Sequence, residues 1–240
     1  MPIDAVVGCS VGGLVGALYA GAGLEPEGLV EAASRLTPWT LPGLALTRWR
    51  LPGLSRRAAR ASGGLDGYLA RLEESTFERL HHGVRRLGIL VWDVAGRRER
   101  LVCGGPGLAP PSVPLGRAVM AAVSIPGLFP PVAARIDGSL RLLVDAGWHT
   151  AVPIERAFAP PIAARRVIAV DLGIRITLRQ RRAAYWDHLG RACGDRLLLI
   201  RPRVGRFGTA LTRRGDAERL IAAGEAAVGE RETEALRAWA

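Results

Sequence analysis

A serine between glycines, in the pattern G-C-S-V-G, stands between two apolar stretches close to the start of the chain. The stretch before it, 3–8, is rich in β-branched residues, and the stretch after it, 14–20, has apolar residues at helical spacing. A strand, a tight turn and a helix in this order lift a serine hydroxyl onto the start of the helix, and glycine beside the serine avoids clashes in the turn. The pattern therefore predicts an α/β fold with Ser10 as a candidate nucleophile.

Two other interpretations of this stretch stay open. Residues 5–24 carry no formal charge, and a run of this length can span a bilayer. However, no Lys or Arg precedes the run and six glycines interrupt it, which is unlike a signal peptide or a membrane helix. The other interpretation makes Ser10 the N-cap of a glycine-rich core helix. We favour the strand, turn and helix.

The composition limits the possible partners. The net charge is +11 and all 33 basic residues are Arg, which either reflects compositional bias or favours contact with an anionic membrane surface. The basic residues are scattered and only 5% of residues are aromatic, so we expect no nucleic-acid partner. Three widely separated cysteines predict neither a disulfide framework nor a zinc site, and favour a cytoplasmic setting. We expect no metal and no cofactor.

The rest of the chain alternates between apolar strands and helical patterns. Strands are expected at 85–94, 98–105 and 139–145, and one long helix is expected over 215–239. Continuous apolar strands interleaved with helices are typical of a sheet covered on both faces. We therefore expect a single domain, 1–240, built as a three-layer α/β/α sandwich around a mainly parallel central sheet.

The segment 37–61 has no clear period and is rich in Pro, Gly, Trp and Arg. Its tryptophans and leucines alternate with arginines, a pattern that suits a cap lying at the interface with anionic lipid. The alternative is a proline-rich loop that packs its tryptophans on the core. Both interpretations stay open.

A serine nucleophile needs a base, and Asp145 is the strongest candidate. It ends the apolar strand L-R-L-L-V-D, and carboxylates at strand ends point into the crevice where α/β sheets bind ligands. Partial desolvation would raise its pKa and let it accept the serine proton directly. Asp171 has a similar placement, so the position alone does not decide. A Ser-Asp-His triad that uses His149 or His188 is a further alternative.

Several ordered blocks resemble the patatin-like phospholipases, which are lipid acyl hydrolases with a Ser-Asp dyad. They are I-D-A-V-V-G-C-S-V-G-G-L-V-G-A-L-Y-A-G-A-G at 3–23, A-V-M-A-A-V-S-I-P-G-L-F-P-P-V at 118–132 and V-D-A-G-W-H-T-A-V-P-I at 144–154. The resemblance implies Ser10 as nucleophile and Asp145 as general base acting on lipid esters without a metal or a histidine. It also implies the N–H of Val11 as an oxyanion donor.

The sequence departs from the family pattern in two ways. The aspartate block is D-A-G in place of D-G-G or D-G-A, and Thr150-Ala151 stand where the family has an Asn pair. The family's Gly-rich oxyanion loop, G-G-G-x-[RK]-G, does not occur in these 240 residues. We expect the upstream reading frame to supply this loop. The alternative is a truncated, non-catalytic relative that binds lipid or protein.

Overall fold

A computed structural model describes residues 2–35, 66–173, 183–204 and 216–239. The strands of these ranges are β1 (Ala5–Cys9), β2 (Arg86–Asp93), β3 (Arg98–Gly104), β4 (Val132–Ile136), β5 (Ser139–Asp145), β6 (Val167–Val170) and β7 (Leu197–Ile200). The α-helices are α1 (Val11–Ala20), α2 (Pro26–Ser34), α3 (Asp66–Glu74), α4 (Leu115–Ala122), α5 (Ile154–Phe158), α6 (Ala183–Cys193), α7 (Asp216–Ala226) and α8 (Glu230–Trp239). A 3-10 turn at Gly194–Arg196 joins α6 to β7.

Strand β2 lies at the centre of a five-stranded mixed sheet. One of its edges pairs with β3 along Leu87–Asp93. The other edge is shared by two strands: β1 runs parallel to it as far as Leu90, and β5 runs antiparallel to it from Val91. Strand β4 pairs antiparallel with β5, and β6 and β7 form a separate parallel pair. Strands β1 and β5 therefore run toward each other beside the middle of β2.

Helices cover both faces of this sheet because successive strand side chains point to opposite sides. On one face, Val6 of β1 and Ile89 of β2 pack into the main core with α1, α3 and α4. On the other face, Val7 packs against a second core built from α5, α6 and β6. The expected α/β fold, a central sheet flanked by helices, is thereby confirmed. The sheet, expected to be mainly parallel, is mixed: β1 and β2 are parallel, and the other three pairs are antiparallel.

The predicted strands at 85–94, 98–105 and 139–145 are present as β2, β3 and β5. The single long helix predicted over 215–239 is wrong, because the chain forms α7 and α8 with a break at 227–229. Gly229 directly precedes α8, and its N–H donates to Glu232 Oε2 at 3.1 Å, which closes a capping arrangement. The segment 37–61 lies outside the described residues.

None of the helices in the described ranges is both long and apolar enough to cross a bilayer. The apolar stretch that raised this possibility is divided between a strand of five residues and a helix of ten. Most of its glycines and alanines pack inside the protein: Ala17 and Ala20 have no exposed surface. The apolar character of the stretch thus results from burial on the sheet.

Candidate active site

Ser10 occupies the turn between β1 and α1. Its backbone has φ 53° and ψ −131°, a region that residues other than glycine rarely adopt. Such a conformation costs about 1–3 kcal/mol and persists only where the surrounding structure holds it. Here the end of β1 lies directly against the first turn of α1. A Cβ added to Gly8 would lie only 2.4 Å from backbone atoms of Gly12 and Gly13. Glycine at position 8 is therefore required by this turn.

Gly12, the second glycine of the pattern, has different surroundings. A Cβ built on it would meet no atom of the described residues within 4 Å, and the residue is exposed. The side chain of Val11 is also 57% exposed. The first turn of α1 thus presents an open surface directly beside the serine.

Asp145 lies beside Ser10 because β5 runs antiparallel to β2 and ends where β1 ends. It is the last residue of β5 and pairs with Val91, the residue next to the one that pairs with Cys9. Its backbone N–H donates to the carbonyl of Ser124 at 2.9 Å, which ties the end of β5 to the segment after α4. The meeting of two strand ends beside β2 brings together residues 135 positions apart in the sequence.

The two predicted catalytic side chains are in direct contact. Ser10 Oγ donates to Asp145 Oδ2 at 2.6 Å, and Asp145 Oδ1 accepts the N–H of Gly147 at 2.7 Å. The Cys9 thiol lies 4.0 Å from Oδ1. Asp145 is 5% exposed while Ser10 is half-buried, so the hydroxyl stands between a buried carboxylate and the surface.

Burial controls the protonation of this site. Desolvation raises the pKa of Asp145 above its ordinary value, and the hydrogen bonds from Ser10 and Gly147 partly offset the rise. Burial, followed by the negative charges of Asp145 and Glu99, also raises the pKa of the Cys9 thiol. The carboxylate is therefore a stronger base than an exposed aspartate, and the neighbouring cysteine stays a neutral thiol.

The N-terminus of α1 provides candidate donors for an oxyanion. The N–H groups of Gly13 and Leu14 bond to the carbonyl of Ser10 at 2.9 and 3.2 Å. Within the described part of the chain, the N–H groups of Val11 and Gly12 bond to no acceptor, as is usual for the first residues of a helix. These groups and the positive end of the helix dipole are favourable for negative charge near Ser10.

Neither histidine of the alternative triad contacts Ser10 in the described residues. His149 Nδ1 lies 2.7 Å from Glu99 Oε1, and His188 is exposed on α6. Asp171 is also away from the dyad, paired with Arg201 at 3.2 Å. No group of three or more His, Cys, Asp or Glu side chains in the described ranges is arranged to hold a metal ion.

Glu99, on β3, is a largely buried carboxylate near the dyad that the sequence reasoning missed. It accepts hydrogen bonds from Thr150 and from Arg156, and it contacts His149. The alternation of side chains along β3 could have indicated it. Glu99 shares a face of the strand with Leu101, which packs beside Cys9 in the core. An acidic residue on the apolar face of a strand indicates a specific partner.

The D-A-G block is accommodated without strain. Ala146 is fully buried against Cys9 and Leu90, and its φ is not positive, so a glycine is not needed at this position. Gly147, by contrast, approaches the dyad closely: an added Cβ would lie 3.0 Å from Asp145 Oδ1 and 3.6 Å from Ser10 Cβ. Of the two small residues after Asp145, the second is the one that the site constrains.

Comparison with known proteins identifies a family for most of the chain. The family model described as patatin-like phospholipase matches residues 1–158, which contain both Ser10 and Asp145. A search of curated proteins finds no significant match. The matched region covers more than half of the chain and extends from β1 through α5. The chain belongs to the patatin-like phospholipase family.

Proposed function

We propose that the protein is a serine acyl hydrolase that cleaves lipid acyl esters with a Ser10–Asp145 dyad. Membership of a family of lipid acyl hydrolases supports the class of reaction. The observation that carries the proposal is the 2.6 Å hydrogen bond from Ser10 Oγ to Asp145 Oδ2, in which a buried carboxylate faces the hydroxyl of a strained turn. The proposal needs no histidine, metal or cofactor.

The reaction has two steps. In the first, Ser10 Oγ attacks the carbonyl carbon of the ester while its proton passes to Asp145 Oδ2. The tetrahedral intermediate collapses, the bond to the leaving alkoxide breaks, and the alkoxide takes the proton from Asp145. In the second, water attacks the acyl-enzyme and gives its proton to Asp145, which returns it to Ser10 Oγ as the fatty acid leaves.

The oxyanion of each tetrahedral intermediate needs preorganised donors. The N–H of Val11 is our candidate because it follows the nucleophile and has no acceptor within the described residues. Loss of a single such donor typically costs about 10²–10³ in rate, so one donor makes a measurable contribution.

The proposed substrate is a phospholipid or another lipid ester, met at an anionic membrane surface from the cytoplasmic side. The net charge of +11 supports attraction to anionic headgroups. Three apolar side chains near the site are exposed. Val11 follows Ser10, Trp148 lies three residues after Asp145, and Ile125 follows Ser124, whose carbonyl accepts the Asp145 N–H. Apolar groups in this region suit contact with an acyl chain.

Hydrolysis of defined lipids tests the proposal. The wild-type protein is incubated with vesicles of anionic or zwitterionic phospholipid and with a soluble short-chain ester, and the released fatty acid is measured. We expect release from lipid, faster on anionic vesicles, and its loss in Ser10→Ala. His188→Ala, at an exposed position of α6, is the matched control and keeps full activity.

Two results would contradict the proposal. Unchanged release from Ser10→Ala would exclude Ser10 as the nucleophile. Vesicle binding by a folded wild-type protein that releases no fatty acid from any of these substrates would support the non-catalytic, lipid-binding alternative. Loss of activity in His188→Ala would favour the triad instead.

A further inference from the structure

A largely buried carboxylate outside the dyad, that of Glu99, contacts the turn that follows Asp145. The side chain of Glu99 is 10% exposed, and its partners Thr150, His149 and Arg156 all come from the segment directly after the candidate base. Burial by itself would raise the pKa of Glu99, but the hydrogen bonds from these three side chains lower it below its ordinary value. Glu99 is therefore ionised at neutral pH and bonded to these three side chains.

Backbone bonds continue this contact as far as Asp145. The N–H groups of His149 and Thr150 both donate to the carbonyl of Ala146, at 2.8 and 2.9 Å, and close a tight turn. Gly147 lies inside this turn and aims its own N–H at Asp145 Oδ1. A continuous series of hydrogen bonds thus joins strand β3 to the carboxylate.

Thr150 connects the side-chain contact with Glu99 to the backbone hydrogen bonds of the turn. It is 5% exposed, its hydroxyl donates to Glu99, and its N–H donates to Ala146. A buried hydroxyl needs a partner, because leaving it unsatisfied costs about 1–3 kcal/mol. The Glu99 contact therefore fixes both the side chain and the backbone position of Thr150.

We propose that Glu99 is a positioning residue for the dyad: through Thr150 it fixes the turn 146–150 and so aims the Gly147 N–H at Asp145. The carboxylate of Asp145 is then held with Oδ2 toward Ser10. Within the described residues Glu99 makes no contact with the serine, and its positioning effect on Asp145 passes through this turn. The inference rests on the proposed function for its effect on rate, but its effect on the Asp145 carboxyl can be measured without any turnover.

Three variants test the inference. Thr150→Val keeps the shape and removes the hydroxyl, Thr150→Ser restores a hydroxyl, and Glu99→Gln removes the charge. Thr233→Val is the matched control, since the Thr233 hydroxyl donates to a backbone carbonyl on α8 instead. The readouts are the ¹³C NMR titration of the Asp145 carboxyl and the pH profile of kcat/KM for ester hydrolysis.

Thr150→Val and Glu99→Gln weaken the Gly147 bond, which favours the ionised form of Asp145. We expect the Asp145 titration and the acid limb of the pH profile to move to higher pH in both variants, by less in Glu99→Gln because the loss of a nearby negative charge acts in the opposite direction. We expect kcat/KM to fall about tenfold, the rate equivalent of one hydrogen bond to a charged group. Thr150→Ser and Thr233→Val match the wild type.

An unchanged Asp145 titration in both Thr150→Val and Glu99→Gln, with the proteins folded, would overturn the inference. A shifted titration in a protein that hydrolyses no ester would uphold the positioning role and defeat the proposed function instead. A fall in thermal stability with no change in titration would show that Glu99 only stabilises the fold.

Discussion

Two aspartates of this protein have nearly the same local setting and different partners. Asp145 ends β5 and Asp171 directly follows β6, and both are almost fully buried, at 5% and 6% exposure. In each, Oδ1 accepts the N–H of a glycine two residues later, at 2.7 Å from Gly147 and 2.8 Å from Gly173. The difference lies at Oδ2, which meets a serine hydroxyl in Asp145 and the guanidinium of Arg201 in Asp171.

The group bonded to the second oxygen determines what a buried carboxylate at a strand end can do. A guanidinium neutralises the charge of Asp171 and holds it in an ion pair, which is a structural role. A hydroxyl leaves the charge of Asp145 uncompensated and offers it a proton to accept. Burial then raises the pKa of Asp145 toward the range in which a carboxylate acts as a general base.

The largest expected difference between the two aspartates is in catalysis. Asp145→Asn removes the proton acceptor while keeping the shape, and we expect hydrolysis to fall by about 10²–10⁴-fold, the usual contribution of a general base. Asp171→Asn, the matched control, keeps wild-type kcat because its partner is Arg201. Steady-state kinetics of both variants on one ester measure the contrast, and equal losses would break it.

A smaller difference is expected between substitutions of the glycines that follow the two aspartates, Gly147 and Gly173. Gly147→Ala places a Cβ 3.0 Å from Asp145 Oδ1, and we expect kcat to fall about tenfold because the carboxylate must shift. Gly173 has φ +71°, and a Cβ added there would meet no atom within 4 Å in the part of the chain that the structure describes. Gly173→Ala therefore costs about 1–2 kcal/mol of backbone strain without reaching the dyad.

Kinetics and chemical denaturation of these two glycine variants separate the effects. The expected result is an activity defect for Gly147→Ala and a stability defect for Gly173→Ala. A normal rate in Gly147→Ala would show that the site tolerates movement of the carboxylate.

The smallest expected effect concerns stability and pH. Because the folded-state pKa of Asp145 is raised, its contribution to the free energy of unfolding is full below the unfolded-state pKa and is lost as the pH rises through the folded-state pKa. At neutral pH the ionised Asp145 therefore destabilises the fold, and we expect Asp145→Asn to raise Tm there, with the gain disappearing at acidic pH.

Asp171→Asn loses its ion pair and is expected to lower Tm at neutral pH, so the two substitutions have opposite signs. Thermal unfolding across the pH range measures both. A Tm that falls in Asp145→Asn at neutral pH would contradict the view that this carboxylate is held in a costly state for function.

Much of the fold follows from local sequence patterns. The apolar runs of β2 and β5, and the change from strand to helix at Ser10, were readable because periodicity and glycine placement are local signals. The break between α7 and α8 was missed because it depends on a single glycine and on a carboxylate three residues later. Strand β4, which is short and follows a proline-rich stretch, was also not predicted.

The site was predictable in its parts but not in its assembly. The sequence indicates that Ser10 lies in a turn and Asp145 at a strand end, and the family resemblance pairs them. Their contact depends on β1 and β5 sharing one edge of β2, a long-range pairing that no local pattern encodes. The role of Glu99 was missed for the same reason, since its partners lie 50 to 57 residues away in the chain.

The most direct test of the dyad is the site of covalent labelling by a fluorophosphonate probe, which forms a bond to an activated serine. We predict that peptide mapping places the adduct on Ser10 in the wild type, with labelling lost in Ser10→Ala and strongly slowed in Asp145→Asn, while Asp171→Asn is labelled at the wild-type rate. An adduct on another serine, or equal labelling rates for Asp145→Asn and Asp171→Asn, would contradict a dyad in which Asp145 activates Ser10.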